Sequence, residues 1–270
     1  MTSFICPLCQ SSFEQRNNTQ VCENNHHFDI AKEGYLNLLP VQAKSSKNPG
    51  DSQQMMLARR NFLNTGGYLP LAQKIAEISA QYMTDKPANI LDLGCGEGYY
   101  TNIINQQLAM HNMSGLDIAK VAIRYAAKRY DNIQFCVASA YQVPLHDQFL
   151  DLIIRIYAPS KVEELRRLIK KNGYLITVTP APRHLYQLRE VIYEQVNEHA
   201  EENEAIVGFT KKKHVRLTYP LKITDKQQLI DLINMTPFAW KFTPEKRELL
   251  LDKAAWEIEC DFNIEVFQRV

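Results

Sequence analysis

Three features are missing from this chain of 270 residues, and each absence narrows its class. No apolar run reaches the roughly 18 residues that a membrane-spanning helix needs. No basic segment followed by an apolar one opens the chain, as it would in a secretory leader. Neither sign of charge is in excess, because 31 basic residues stand against 30 acidic ones for a net charge of +1. We therefore expect a soluble cytoplasmic protein with no membrane partner.

The near-neutral charge also lacks the basic excess that many nucleic-acid-binding proteins show. A local basic patch is enough for such binding, so the composition does not exclude it. Hydrophobic residues make up 45% of the sequence, enough for a sizeable core. The length fits one large domain or two smaller ones.

Three of the ten glycines fall at alternate positions in one stretch, residues 90–100, which reads I-L-D-L-G-C-G-E-G-Y-Y. The apolar residues 90–93 have the length of a buried strand, and residues 99–108 have the pattern of a helix. Gly94, Gly96 and Gly98 lie between them. A strand that ends in a glycine turn and opens a helix forms a ligand site at the carboxyl edge of a parallel sheet.

The spacing of this turn indicates its ligand. A dinucleotide site has G-x-G-x-x-G, whereas this turn is acidic-x-G-x-G-x-G and is led by Asp92. A carboxylate there repels phosphate but accepts hydrogen bonds from an ammonium group, which fits the amino-acid end of S-adenosylmethionine. Asp117 ends the next apolar segment, where an acid that binds ribose hydroxyls is expected. An ordinary Rossmann-like turn that binds NAD, or no ligand, is the alternative.

The first 30 residues carry a pattern of metal ligands. Cys6 and Cys9 form a C-x-x-C pair, twelve residues separate Cys9 from Cys22, and His26 and His27 follow closely. Two close pairs joined by a hairpin-length loop are typical of a tetrahedral zinc site. Four protein ligands leave no open position, so we predict one structural Zn²⁺. A redox pair, Cys6 with Cys9, is the alternative, and the spacing alone leaves His26 and His27 both open.

Helix-like and strand-like segments alternate along the rest of the chain, as in α/β folds. Helices are predicted over residues 55–63, 71–82, 121–130, 162–169, 184–196, 227–232 and 247–255. Strands are predicted over 133–138, 150–156, 174–178 and 215–219, and apolar residues alternate over 258–266 as in a half-buried strand. Residues 42–53 are polar and rich in helix breakers and predict a flexible linker, and residues 170–173 predict a helix end.

Residues 92–98, D-L-G-C-G-E-G, resemble motif I of class I S-adenosylmethionine-dependent methyltransferases. Other segments resemble, more specifically, the RlmA family of large-subunit rRNA guanine-N1 methyltransferases over nearly the whole chain. They are the cysteine-rich start and the segments A-K-E-G-Y-L-N-L-L-P-V (31–41), P-G-D (49–51), R-I-Y-A-P (155–159), P-R-H-L (182–185) and M-T-P-F (235–238).

The resemblance implies an α/β fold, a Rossmann-like class I methyltransferase sheet with a small N-terminal zinc-binding domain. The sheet of such enzymes has seven strands and ends in an antiparallel hairpin. We accordingly divide the chain into a zinc-binding RNA-recognition module (1–40), a linker and connecting helix (41–67), and an S-adenosylmethionine-dependent methyltransferase domain (68–270).

The resemblance also implies residue roles. The zinc ligands of the family fall on Cys6, Cys9, Cys22 and His26, which favours His26 over His27. The cofactor contacts of the family fall on Tyr68, Gly96, Glu97 and His184. Without the resemblance, Tyr68 would be read as a helix-packing residue. Together with the other residues of the glycine motif and with Asp117, the expected cofactor-binding residues are Tyr68, Asp92, Gly94, Gly96, Glu97, Gly98, Asp117 and His184. The acid that usually meets the adenine amine is absent from residues 137–140, which leaves Ser139 or the backbone.

The implied activity is transfer of a methyl group from S-adenosylmethionine to N1 of a specific guanine in a domain II hairpin of 23S rRNA. Tyr157 is the candidate for positioning the base, and R-I-Y-A-P holds no carboxylate that would serve as general base. The expected partners are 23S rRNA and a second copy in a homodimer. The RNA-contact candidates are Lys44, Lys47, Arg59, Arg60 and residues 211–213. The alternatives are a class I methyltransferase acting on a small molecule or protein, and a non-catalytic RNA-binding protein.

Overall fold

The computed structural model describes residues 3–40, 52–198 and 205–270. Its strands are β1 (Phe13–Arg16), β2 (Thr19–Cys22), β3 (His27–Asp29), β4 (Leu36–Asn37), β5 (Asn89–Leu93), β6 (Asn112–Asp117), β7 (Gln134–Val137), β8 (Leu150–Ile156), β9 (Ile169–Pro180), β10 (Phe209–Ile223) and β11 (Trp256–Arg269). Its helices are α1 (Gln53–Asn64), α2 (Leu69–Tyr82), α3 (Tyr99–Gln107), α4 (Lys120–Arg129), α5 (Val162–Leu168), α6 (Tyr186–Ile192), α7 (Lys226–Asn234) and α8 (Pro244–Asp252). A 3-10 helix, Ala239–Lys241, lies between α7 and α8.

The main sheet has eight strands in the order β10-β11-β9-β8-β5-β6-β7-β4. All neighbours from β9 to β4 are parallel, and β11 and β10 add the antiparallel hairpin. Along the chain, β5, β6 and β7 extend the sheet in one direction, and β8 then returns to pair with the other side of β5. Ligands bind in the crevice beyond the carboxyl ends of the strands at such a reversal.

Both faces of the sheet are buried, which explains why its central strands are continuous apolar runs. Successive side chains of a strand point to opposite faces, so neighbouring residues enter different parts of the core. Ile90 of β5 belongs to a large apolar cluster with α2 and the antiparallel hairpin. Leu91 and Leu93 belong to a second cluster with α5 and β7. Asp92 lies two residues after Ile90 and therefore points to the same face of the sheet, so its carboxyl group is directed towards α3.

The N-terminal residues are packed against the free edge of the main sheet. β1, β2 and β3 form a small antiparallel sheet of their own. β4 then pairs with β7 as the eighth strand, and the Leu38 N–H donates to the Val137 carbonyl at 2.9 Å. Phe4, Leu36 and Leu38 are buried in the same apolar cluster as Leu91 and Leu93. Residues 3–40 therefore supply an edge strand and core side chains; the three-part division of the chain stays a prediction.

Two local expectations differ from the structure. Residues 170–173 were expected to close the helix over 162–169; α5 does end there, at Leu168, but the residues that follow belong to β9, which begins at Ile169. These residues lie where the register of β9 against β8 shifts, between Ile169 and Tyr174, and Asn172 has a left-handed backbone with φ 66°, so the breaker signal appears as an irregularity inside the strand. The helix expected from residue 184 begins only at Tyr186, because Leu185 has a left-handed backbone with φ 53°.

The predicted linker falls largely outside the described residues, which resume at Ser52, directly before α1. In the part of the chain that the structure describes, no helix is both long enough and apolar enough to cross a membrane.

Candidate active site and metal centre

A cavity of ≈ 570 Å³ opens at the carboxyl ends of β5, β6 and β8, where the strand order reverses. Its walls come from eight segments of the sequence. They include α1, the residue before α2, the glycine turn after β5, the end of β6, the loop after β7, the turn after β8, the loop after β9 and the loop after α7. Of the predicted cofactor residues, seven line it: Tyr68, Asp92, Gly94, Gly96, Glu97, Asp117 and His184. Gly98 lies one step behind the wall, at the N-terminus of α3.

The glycine turn has a backbone that only glycine adopts readily. Gly94 has φ 81°, and a Cβ there would lie 2.4 Å from the Cβ of Ala158. This close approach of the turns after β5 and β8 therefore requires a glycine. Gly96 has φ 55°, and a Cβ there would meet only the Met56 Cε, at 3.8 Å. Gly96 thus presents bare backbone to the cavity.

Asp92 is buried beneath the glycine turn. Its Oδ2 accepts a hydrogen bond from the Thr101 hydroxyl at 2.6 Å, and its Oδ1 has no partner. Burial raises the pKa of this carboxyl to about 7, against the opposing effect of the Thr101 hydrogen bond. A buried acceptor without a donor is costly. A ligand that brings a donor, such as an ammonium or hydroxyl group, would satisfy it.

Glu97 is also a buried carboxylate with one hydrogen-bonded oxygen and one oxygen without a partner. Its Oε2 accepts from the Arg129 guanidinium at 2.9 Å, and its Oε1 is buried without a partner. Burial raises the pKa of Glu97 to about 7, although Arg129 acts in the opposite direction. The unpaired acceptors of Asp92 and Glu97 fit the ammonium group of S-adenosylmethionine better than they fit a pyrophosphate.

Asp117 holds the glycine turn in place. Its Oδ2 accepts from the Gly96 N–H at 2.9 Å, and its Oδ1 accepts from the Ala119 N–H at 2.7 Å. Each carboxylate oxygen can accept a second hydrogen bond. The expected ribose contact is therefore compatible with these backbone bonds. Ser139 also lines the cavity, and its hydroxyl accepts from the Tyr141 N–H at 3.2 Å.

Tyr68 and His184 are 116 positions apart and meet on the opposite wall. The Tyr68 hydroxyl lies 3.4 Å from the Nε2 of His184, and both side chains are buried. The Asp261 N–H donates to His184 Nδ1 at 3.3 Å. In the neutral ring the proton is therefore on Nε2, which faces Tyr68. Phe262 packs against both rings, with centroid distances of 5.2 Å to Tyr68 and 4.6 Å to His184.

Tyr157 stands at the mouth of the cavity with 47% of its surface exposed. Its backbone is left-handed, φ 55°, which is uncommon for a residue other than glycine. Its ring lies 6.2 Å from that of His184. The nearest carboxylates in sequence are engaged elsewhere, because Asp147 is paired with Arg167 and Asp151 with Lys170.

Sequence reasoning missed several partners of these residues. Thr101 and Arg129 complete the settings of Asp92 and Glu97, and Asp261 and Phe262 support His184. No local pattern marks them, since each acts through a contact with a distant element. The cavity wall formed by residues 235–238 was noted only as part of the resemblance.

The N-terminal cluster brings Cys6, Cys9, Cys22 and His26 together, with all four ligand atoms within 4.8 Å of one another. His26 Nδ1 lies 3.4 Å from Cys6 Sγ and 3.3 Å from Cys22 Sγ, and the Sγ atoms of Cys9 and Cys22 are 3.6 Å apart. A tetrahedral zinc ion with bonds of about 2.0–2.3 Å separates its ligand atoms by about 3.5–3.8 Å.

The neighbouring His27 is on the outside of this cluster. Its Nε2 lies 3.0 Å from the side-chain oxygen of Asn25, and the residue is exposed. The geometry of the donor set therefore fits a zinc ion bound through His26, with no position left open.

The RNA-contact candidates are spread over the molecule. Arg59 and Arg60 lie on α1, where Arg59 lines the cavity and the Arg60 guanidinium lies 4.8 Å from the ring centre of Tyr125. Lys211 pairs with Glu265, and Lys213 donates to Gln81 at 2.6 Å. Lys44 and Lys47 lie outside the described residues.

The cluster of metal ligands and most of the cavity wall lie in segments that match known protein families. Residues 4–47 match the zinc-ribbon family model described as "RlmA, N-terminal", and residues 84–234 match a methyltransferase domain model. The chain is 32% identical over 273 residues to the "Putative 23S rRNA (guanine-N(1)-)-methyltransferase" of Bacillus subtilis (strain 168), covering 97% of this chain and 95% of that protein. The chain belongs to the RlmA family.

This RlmA-family protein is an S-adenosylmethionine-dependent methyltransferase whose second cofactor is zinc. A further relative, the 23S rRNA (guanine(748)-N(1))-methyltransferase of Streptomyces fradiae, is 28% identical over 89% of this chain and 87% of its own length. The predicted family and fold class are thereby confirmed.

A solved structure supports the fold. The "putative methyltransferase" of Bacillus halodurans C-125 superposes with a TM-score of 0.51 at 13% identity, covering 73% of this chain and 98% of that one. At this identity the likeness shows the class I fold alone.

Proposed function

We propose that the protein methylates N1 of one guanine in 23S rRNA, within a hairpin of domain II. The observation that carries the proposal is the similarity to the Bacillus subtilis relative over 97% of the chain, through both the zinc ribbon and the cavity. The Streptomyces fradiae relative is named for the same chemistry at guanine 748. Action on RNA in an assembling or mature ribosome agrees with the cytoplasmic location that we also propose.

In this proposal the eight predicted residues hold the cofactor. The unpaired oxygens of Asp92 and Glu97 would accept hydrogen bonds from its amino-acid end, and Asp117 would accept from the ribose. Gly96 presents bare backbone to the cofactor, while the absent Cβ atoms of Gly94 and Gly98 leave room for Ala158 and for Ala126 and Tyr130. Tyr68 and His184 close the opposite wall. The bound cofactor supplies a methyl group carried by a positively charged sulfur.

The protein then has to align a guanine with that methyl group. Correct alignment alone can lower the barrier by about 7–11 kcal/mol. The target base has to leave the stack to enter the cavity. Tyr157, half exposed at the mouth, is placed to position the extruded base. N1 of neutral guanine carries a proton, which must leave for N1 to act as a nucleophile.

We assign the zinc module a role in RNA recognition and propose that the protein works as a homodimer. The four ligands Cys6, Cys9, Cys22 and His26 leave the zinc no open position, which fits a structural ion. The ribbon lies along the sheet edge, outside the cavity wall, so it can contact RNA without entering the cofactor site.

A direct test uses the purified protein, S-adenosylmethionine with a labelled methyl group, and 23S rRNA transcribed in vitro. We expect label in the RNA and a stop of reverse transcription at one guanine, because a methyl group on N1 blocks base pairing. A transcript with that guanine changed to adenosine is the control and should take up no label. If label enters proteins or small molecules of a cell extract but never rRNA, the alternative substrate class is correct.

A further inference from the structure

The loop that forms one wall of the cavity also carries an exposed aromatic side chain on its outer surface. After α7, Pro237 and Phe238 line the cavity. The next residues form the 3-10 helix, and its Trp240 is 77% exposed. Consecutive Cα atoms are about 3.8 Å apart, so the Cα atom of Trp240 lies within about 8 Å of that of Phe238.

A second ring and a cation accompany this tryptophan. The Lys241 Nζ lies 4.3 Å from the ring centre of Tyr193 and 5.2 Å from that of Trp240. Tyr193 directly follows α6 and is itself 37% exposed. We call Trp240, Lys241 and Tyr193 the Trp240 surface. Two exposed rings that share an ammonium group combine stacking with a positive charge.

The loop is fastened in this conformation from inside. The Arg247 guanidinium donates to the carbonyls of Phe242 at 3.1 Å and Ala239 at 3.3 Å, and to the Asn234 side chain at 3.1 Å. The Lys246 Nζ donates to the Ile192 carbonyl at 3.3 Å and so ties α8 to the end of α6. The exposed position of Trp240 is thus held by the fold.

The other tryptophan shows the contrast. Trp256 Nε1 donates to the Leu250 carbonyl at 2.8 Å, and its ring packs on the apolar core. The Nε1 of Trp240 has no hydrogen-bond partner of this kind within the described residues, and its ring leaves most of its apolar surface in water. Such exposure is unfavourable unless a partner covers the ring.

We infer that the Trp240 surface stacks on a base of single-stranded RNA next to the guanine that enters the cavity. The inference rests on the proposed function and adds where the flanking nucleotide binds. Every base has a face that can stack, and stacking on aromatic side chains is how proteins hold single-stranded loops. With a net charge of +1, this chain has little general attraction for phosphate, so stacking would supply affinity that charge does not. A base inside a duplex is already stacked on its neighbours, so it has no free face for Trp240 to contact.

Tryptophan fluorescence tests the contact directly. The chain has two tryptophans, so Trp256→Phe leaves Trp240 as the only emitter. We expect its emission to fall when an RNA hairpin with the target guanine in a single-stranded loop is added. A fully paired duplex of the same length should leave the emission unchanged. The inference is wrong if the hairpin binds to saturation without quenching, or if the duplex quenches equally.

Affinity measurements complete the test. Trp240→Ala should weaken binding of the hairpin about ten- to hundredfold, and Trp240→Phe should keep most of the affinity, because stacking is worth about 1–3 kcal/mol per base. Leu249→Ala removes another exposed apolar side chain, on α8, and should leave the RNA affinity unchanged. All three variants should bind S-adenosylmethionine as the wild type does, which shows that the cavity is intact.

Three outcomes would decide between this inference, a contact between copies, and the proposed function. Wild-type RNA affinity in Trp240→Ala overturns the inference and leaves the methylation assay untouched. If that variant instead changes the oligomeric state in ultracentrifugation and keeps its RNA affinity, the surface is a contact between copies of the chain. Quenching by the loop without any methylation of 23S rRNA would support the stacking site and contradict the proposed function.

Discussion

At the residue scale, the cavity depends on the missing side chain of Gly96. A Cβ at this position would meet only the end of Met56 and would point into ligand space. We expect Gly96→Val to abolish S-adenosylmethionine binding, with affinity reduced by at least about a hundredfold, because its methyl groups would occupy the cavity. Isothermal titration calorimetry measures the loss.

Gly34→Val is the matched control for this variant. Gly34 also has a positive φ of 92°, has open space around its Cβ position, and lies outside the cavity wall. It carries comparable backbone strain without filling ligand space, so cofactor affinity should stay at the wild-type level. An equal loss in both variants would mean that strain, and not the occupied space, removes the binding.

At the element scale, the zinc ribbon depends on its metal. β1, β2 and β3 have four residues or fewer each, and such short elements fold only with an added constraint. We expect His26→Ala to lose the zinc ion and to increase amide hydrogen exchange over residues 13–29. Cofactor affinity should stay nearly unchanged, because no residue of 3–40 lines the cavity. Metal analysis and exchange mass spectrometry test the two effects.

The adjacent histidine provides the control. His27 is exposed and contacts the side chain of Asn25 instead of the cysteines. His27→Ala should therefore retain one zinc ion per chain. Full zinc in His26→Ala, or loss of zinc from His27→Ala, would contradict the ligand assignment.

At the scale of the whole molecule, two buried carboxyl groups link stability to pH. Asp92 and Glu97 have pKa values of about 7 in the folded protein without cofactor, against about 4 in an unfolded chain. Between these values the folded state keeps protons that the unfolded state releases. The contribution of these groups to the free energy of unfolding should therefore be fully present at and below about pH 4, and be lost as the pH rises to about 7.

Asp92→Asn should remove part of this pH dependence. The amide cannot ionise. The free energy of unfolding of the variant, minus that of the wild type, should therefore be higher at pH 8 than at pH 5 by on the order of 2 kcal/mol. Urea unfolding at the two pH values measures the difference. Asp147→Asn is the control, because Asp147 is exposed and its ion pair with Arg167 contributes little. The same pH dependence in wild type and Asp92→Asn would show that burial of this carboxyl is not its cause.

The sequence by itself determined the parts of this protein that are written in local spacing. Alternate glycines after an apolar run can form only a tight turn at a strand end, and Asp92 at its head restricts the ligand. The C-x-x-C pair and its later partners likewise predict a zinc hairpin, since ligands close in sequence need no distant contact to meet. Helix and strand periodicity placed most central elements within a few residues of their bounds, and the interval 150–156 agrees with β8 in full.

Only the tertiary structure decided the contacts between distant segments. Tyr68 and His184 become partners because α2 and the turn before α6 are both packed against β11 through Phe262. Leu36 and Asn37 become a strand only because β7 offers a free edge, and two residues carry no periodic signal of their own. β9 contains the turn-like residues 170–173 as an irregularity, because the pairs on either side of them, Leu150 with Ile169 and Leu152 with Tyr174, keep the strand in the sheet. Such contacts depend on free energy gained across the fold, which no window of sequence contains.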